Sequence, residues 1–446
     1  MPASSDEAPT TRDLARVLTL RDLVFIVVGT TIGSGIFTVP GAVLRQSGSD
    51  VGVALVVWVV GSVLALLGAV TFGELGAMLP DAGGSYVYVR EAFGRLPAFL
   101  LGWTLFLAIN TGSTATLAVA FANYLRELLP LTTVTHTLAS VGMIAAVTAV
   151  NIRGVRHAAS VQNWSTALKV GAILALAVAG FALGDGFHRS DTRAFTTPLT
   201  LSRLSAAGVG LLGVLWAYEG WQYVTFSAGE TLDPQRTFAR GIVAGTMALV
   251  GIYVLANIGY FSALGVDGVS SSNRVASDAA SMVLGPAAGT VLAALILVSI
   301  FSAANGMTLT LPRLFFAMAR DRVFFARLAV VHPRFGTPAA AIVGTGLWSA
   351  VLVLSGTFEQ LLTYVVFMSW LWFALAALAI FAYRRRDPQA RRPFRTPGYP
   401  VTPILFVAAA ILIVVNTMIA QPVQSIIGLG LALLGVPAYF VWRGRG

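Results

Sequence analysis

A series of apolar runs, most of them about 20 residues or longer and separated by short polar segments, constrains this chain more than any other feature. As a helix, one such run reaches across roughly 30 Å of hydrocarbon. The runs fall at about 23–45, 52–79, 97–125, 134–150, 160–183, 206–229, 241–264, 282–311, 338–355, 360–382, 400–419 and 424–442, twelve expected spans in 446 residues. Strand-type alternation of polar and apolar residues is absent, so helices rather than a closed barrel satisfy the backbone in lipid. Composition agrees: 57% of residues are hydrophobic and 11% charged, under half of the roughly 25% that a water-soluble surface carries. The expected class is an all-α, multi-pass membrane protein of twelve transmembrane helices.

A net charge of +10 would fit a nucleic-acid partner, but the placing of the charges excludes one. With the N-terminus inside, 22 of the 29 basic residues fall in cytoplasmic segments and six outside: Arg45, Arg126, Arg189, Arg193, Arg203 and Arg274. That asymmetry predicts cytoplasmic termini. The arginines between 384 and 395 read as a solvated, topology-setting loop near anionic lipid. Residues 1–21 are too polar for a cleavable signal peptide, and the first dozen are expected to be disordered. Two polar segments, 81–97 and 320–338, are expected to form interfacial or re-entrant helices on the cytoplasmic side, and Glu74 to pair with a cytoplasmic arginine. The chain has no cysteine, which excludes thiolate metal sites and a disulfide-linked subunit. Its four histidines sit in loops or at span ends and form no metal set, so neither a metal nor another cofactor is expected.

Two spans are interrupted. The first reads VFIVVGTTIGSGIFTVPGAVL, with Gly29, Gly33, Gly35 and Gly41 among hydroxyl residues. The sixth reads GVGLLGVLWAYEGWQYVTFSAGE and carries Glu219 at mid-depth. Interruptions at corresponding positions of two halves are the mark of a transporter built as a 5+5 inverted repeat. A break at Ile32–Ile36 would free N–H groups for an anion and carbonyls for a cation, which together fit the zwitterion of an amino acid. Small residues that merely let helices approach closely are the competing explanation.

The motifs GTTIGSGIFTVPG, WAYEGWQ and SAANGMTLTLPRLFFAMARDRVFF, with GGSYVYVREAFG and HPRFGTP between and after them, resemble the amino acid–polyamine–organocation superfamily, and within it the L-amino acid transporter branch. That likeness covers nearly all of residues 20–400. It implies a LeuT-type fold: a tail at 1–21, a repeat core at 22–383 with spans 1 and 6 broken, and a basic loop with peripheral spans 11 and 12 at 384–446. It also implies a substrate site. Gly33, Ser34 and Gly35 would line it, with Ser34 and Gly35 holding the carboxylate. Carbonyls of Thr31, Trp216 and Glu219 would receive the ammonium. Trp216 stands where the family has an aromatic gate, usually Phe, and Asn305 matches a family asparagine near the pocket or else serves as an interhelical hydrogen bond. Lys169, the sole lysine, would bind span 1 carbonyls where sodium-coupled relatives hold Na⁺; a snorkelling side chain is the plainer alternative.

The function so implied is secondary transport of L-amino acids across the inner membrane, small neutral ones first and cationic ones second, without sodium and by exchange. Proton-coupled symport is the nearer alternative. An intramembrane enzyme is the distant one, because no nucleophile–base pair or ligand set lies at depth. Glu219 is read either as part of the pocket or as a cap on the second half-helix of span 6.

Overall fold

In the computed structural model, residues 14–189, 195, 200–354 and 358–443 are described. The first dozen residues, expected to be disordered, lie outside them, as do Arg193 and Arg445. Local chemistry sets the first boundaries. Thr19 accepts from the Asp22 amide while the Asp22 carboxylate accepts from the Thr19 amide, a capping box that opens α1, Leu20–Thr31. The chain leaves helical geometry at Ile32 and restarts as α2, Gly35–Gln46, bent 47° from α1. The Asp50 side chain caps α3, Val51–Met78. Helix α4, Ser85–Phe93, is short and bounded by Gly84 and Gly94. Helix α5, Arg95–Thr104, runs through a π-helical turn into α6, Asn110–Leu128.

Helices α7, Thr133–Ile152, and α8, Val155–Leu183, follow, and then one turn, α9, Gly186–Arg189. Helix α10, Leu201–Ala217, stops abruptly and gives way to a 3₁₀ segment, Trp221–Glu230. Helix α11, Pro234–Ser271, is kinked at Gly265. Beyond it lie α12 (Val275–Leu284), α13 (Pro286–Thr310), α14 (Pro312–Arg320), α15 (Ala339–Val353) and α16 (Phe358–Arg386). Helices α17 (Val401–Ala420), α18 (Pro422–Leu433) and α19 (Gly435–Arg443) complete the chain. Proline begins α11, α13, α14 and α18, a position whose N–H has no helical acceptor in any case.

Among the described residues nine helices or continuous helix pairs are long and apolar enough to cross a membrane, and the bent pair α1–α2 makes ten. The expected sixth and ninth spans appear as shorter helices. Helix α10 has 17 residues because it breaks at Tyr218–Gly220, and α15 has 15, starting directly after Pro338 and ending before Leu354. Large apolar side chains such as Phe181, Leu412 and Ile419 face outward, while Thr30, Ser113, Gln162 and Asn305 are buried. Lipid-facing helices require that inversion of the usual order. At the centre α1 is enclosed by α8, α11 and α13, and α10 rests on α2 and α3.

Charges at one end of the bundle are paired rather than solvated. Glu74, fully buried near the end of α3, accepts two hydrogen bonds from Arg384, at 3.0 and 2.7 Å, and one from the Thr396 amide at 2.6 Å. Arg392 lies 3.6 Å from the same carboxylate. The 384–395 run is therefore not wholly a solvated loop: a buried carboxylate is costly unless paired, and two arginines turn inward to meet it. The 81–97 segment likewise goes into protein, where Tyr86 and Tyr88 are fully buried and Tyr86 donates to Asp321 at 2.7 Å.

Candidate functional site

Span 1 breaks at Ile32, whose ψ of 87° leaves helical geometry, and the Gly33 amide turns back to the Thr31 carbonyl at 2.8 Å. Helix α2 then begins at Gly35; the Phe37 amide donates to the Ser34 carbonyl at 3.2 Å, while those of Gly35 and Ile36 have no intrahelical acceptor. The side-chain oxygen of Ser34 is buried with no partner among the described residues. Around these groups lies a cavity lined by Thr31, Gly33, Ser34 and Gly35 from span 1, Trp216 and Glu219 from the end of α10, and Met307 from α13. Its volume is about 10 Å³, room for roughly one water, so this conformer is closed around the break.

Three contacts hold the two breaks together. A Cβ on Gly35 would stand 2.6 Å from the Ala217 Cα, and one on Gly220, at φ 137°, would stand 2.7 Å from the Thr31 backbone. Glycine is required at both by backbone-to-backbone approach. Tyr253 of α11 donates to the Ala217 carbonyl at 2.7 Å and toward the Thr31 carbonyl at 3.4 Å, tying the ends of α1 and α10 to one side chain.

Lys169 on α8 is buried, and its Nζ donates to the carbonyls of Gly29 at 2.5 Å, Ile32 at 2.6 Å and Ser299 at 3.4 Å. The Ser299 hydroxyl donates to the Ile32 carbonyl at 3.0 Å. The amine therefore satisfies the carbonyl end of α1. It does not snorkel.

Glu219 turns its carboxylate away from the freed N–H groups. Oε1 accepts from Gln222 Nε2 at 2.6 Å, Tyr223 OH at 3.2 Å and Ser369 Oγ at 3.4 Å. The Gly220 amide is taken instead by Gln222 Oε1 at 3.1 Å. Capping at this break thus falls to Gln222, and Glu219 joins the cavity at the span 1 break to a small, mostly apolar recess that also holds Tyr223 and Ser369.

Asn305 lies elsewhere. It accepts from Asn151 at 2.9 Å and donates to Gln162 at 2.9 Å and to the Ala158 carbonyl at 3.2 Å. On α13 the residue two positions later points to the opposite side, so Met307, not Asn305, reaches the cavity. Gln222 and Met307 fall within the motifs WAYEGWQ and SAANGM without an assigned role there, and Tyr253, Ser299 and Ser369 fall in no quoted motif. Tyr253, Ser299 and Ser369 enter the site through helix packing.

The amino acid permease family matches residues 18–437 of this sequence. The chain belongs to that family. It is a membrane transport protein and not an enzyme. Among its relatives are the serine/threonine exchanger SteT of Bacillus subtilis (strain 168), 30% identical over 94% of this chain and 95% of that protein, and the human cystine/glutamate transporter, 33% identical over 96% and 85%. The human b(0,+)-type amino acid transporter 1 is 30% identical over 98% and 90%. These relatives agree with the L-amino acid transporter branch that the permease's motifs resemble.

Proposed function

We propose that this permease exchanges small neutral L-amino acids across a bacterial inner membrane without sodium. It does so through twelve spans, with both termini cytoplasmic and spans 1–5 and 6–10 forming inverted repeats within residues 22–383. Residues 384–446 form a basic loop and two peripheral spans. The observation that carries this reading is the single cavity on which the first turn of α2, the orphan Ser34 hydroxyl and the end of α10 converge. N–H groups and a hydroxyl suit an α-carboxylate, and the carbonyls at Thr31, Trp216 and Glu219 suit an α-ammonium. Trp216, lining the same cavity, is the gate. The printed names of the relatives, a serine/threonine exchanger among them, support exchange and a small substrate. Lys169 supports sodium independence, because an ammonium already occupies the carbonyls that a cation would need. Glu219 on the cavity wall favours cationic amino acids as the second substrate class.

The test is uptake of radiolabelled L-serine and L-arginine into proteoliposomes, with and without amino acid inside. Exchange predicts that internal substrate accelerates uptake strongly and that choline replaces sodium without effect. A steep sodium dependence would overturn the role of Lys169, and uptake indifferent to internal amino acid would overturn exchange.

A further inference from the structure

A pocket of about 600 Å³ lies at the end of the bundle where α1 and α8 begin, the cytoplasmic end in the proposed orientation. One wall is the segment that enters span 1, from Val17 to Asp22. Another is a stripe of α8 at Arg156, Ser160, Asn163, Trp164 and Ala167, positions that share one helix face. From Arg156 to Ala167 that stripe is roughly 16 Å long, whereas the headgroup layer of one leaflet is about 5–8 Å deep. A pocket of that length, beginning at the end of a span, passes from the headgroup layer into hydrocarbon. Trp164, 77% exposed, stands between the two, at the level where an amphipathic indole settles.

The charged end of this pocket is unbalanced. Arg21 and Arg156 both line it and are exposed, and neither forms an ion pair among the described residues. Arg21 rests over the Phe25 ring, 5.4 Å from its centre. The carboxylate on the lining, Asp22, is already engaged: Oδ2 accepts from the Thr19 amide at 2.8 Å and the Thr19 hydroxyl at 2.7 Å, and Oδ1 accepts from Asn163 Nδ2 at 2.6 Å. Its charge offsets one guanidinium and leaves the other. Leu18 and Leu232 add apolar surface and are tied to each other, the Leu232 amide donating to the Leu18 carbonyl at 2.8 Å.

We propose that this pocket binds one anionic phospholipid, its phosphate held by Arg21 and Arg156 and its acyl chains laid beside Trp164 and Ala167. Guanidinium forks suit a phosphate, and the anionic cytoplasmic leaflet supplies one. An inorganic anion would use the arginines and leave the apolar length of the stripe uncovered. The lipid also braces the entry to span 1, because Val17 and Leu18 on the pocket wall donate to the Glu230 carbonyl at 2.8 and 2.9 Å. The inference goes beyond the transport reading and needs only that the chain spans a bilayer.

The experiment titrates the purified full-length protein in detergent with phosphatidylglycerol or phosphatidylcholine. Bound lipid is counted by native mass spectrometry, and the melting temperature is the second readout. Phosphatidylglycerol should bind roughly tenfold more tightly than phosphatidylcholine and raise the melting temperature. Arg21→Gln with Arg156→Gln should abolish that preference. The corresponding lysine pair, which keeps the charges without the forks and serves if the glutamine pair does not insert, should lose part of it. Arg385→Gln with Arg391→Gln, exposed arginines in the 384–395 run, should keep it. Equal binding of the two lipids by the wild type, equal losses in the two glutamine pairs, or a melting shift reproduced in full by inorganic phosphate would overturn the lipid site. A large gain in affinity in Asp6→Asn with Glu7→Gln would make the acidic N-terminal segment the occupant and overturn it too. No readout uses transport, so absence of exchange by the wild type would overturn the transport reading alone.

Discussion

Lys169 and Glu219 are the two ionisable side chains at the heart of this molecule, and their partners separate their roles. Lys169 donates to two carbonyls within 2.6 Å, so truncation strands buried acceptors, at a cost of about 1–3 kcal/mol each. Lys169→Ala should therefore reach the membrane in reduced but measurable amount and transport at least roughly tenfold more slowly per molecule, as read by uptake normalised to immunoblot. Activity equal to wild type would show that the amine only fills space. Glu219 receives three neutral side-chain donors and caps no backbone amide. Glu219→Gln keeps an acceptor oxygen but loses the charge, so uptake of L-arginine should fall well below that of L-serine in the same vesicles. Equal effects on the two substrates would reduce the carboxylate to an anchor for Gln222 and Tyr223.

At the scale of elements, the breaks in spans 1 and 6 are one joint. Gly35 faces Ala217 and Gly220 faces Thr31 at distances no Cβ tolerates. Substitution at Gly35 thus acts first on helix contact rather than on the ligand: even Gly35→Ala should lower thermal stability, with or without substrate, as seen by a melting shift in detergent. Gly220→Ala should be worse, because its φ of 137° adds backbone strain to the clash. Ser34 is the residue that reports on binding alone, since its hydroxyl has no partner to lose. Ser34→Ala should weaken substrate affinity while leaving the melting temperature near wild type, and the reverse pattern would make the serine structural.

Across the whole molecule, the cytoplasmic end in the proposed orientation is latched by buried chemistry. Arg313 and Glu230, each about 1% exposed, meet at 2.9 Å, and the amides of Val17 and Leu18 both donate to the Glu230 carbonyl. Arg313→Met leaves that carboxylate buried and unpaired, a loss of about 3–5 kcal/mol, so the variant should melt far below wild type. A melting temperature near wild type would mean the closed conformer draws little from this pair. A single cysteine placed at Arg386, in a chain with none of its own, should label only from the cytoplasmic side; external labelling would invert the topology.

How much of this was readable follows from what each feature depends on. The membrane class, the positions of the apolar runs, the glycine-rich break at Ile32–Gly35 and the pairing of Glu74 with arginine were legible in the sequence, because span length, hydropathy and the cost of a buried charge act within one segment. The shortness of α10, the inward turn of Arg384 and Arg392, Tyr253 across both breaks and Met307 in place of Asn305 were not. Each depends on which faces of distant helices meet, and only the tertiary structure fixes those rotations.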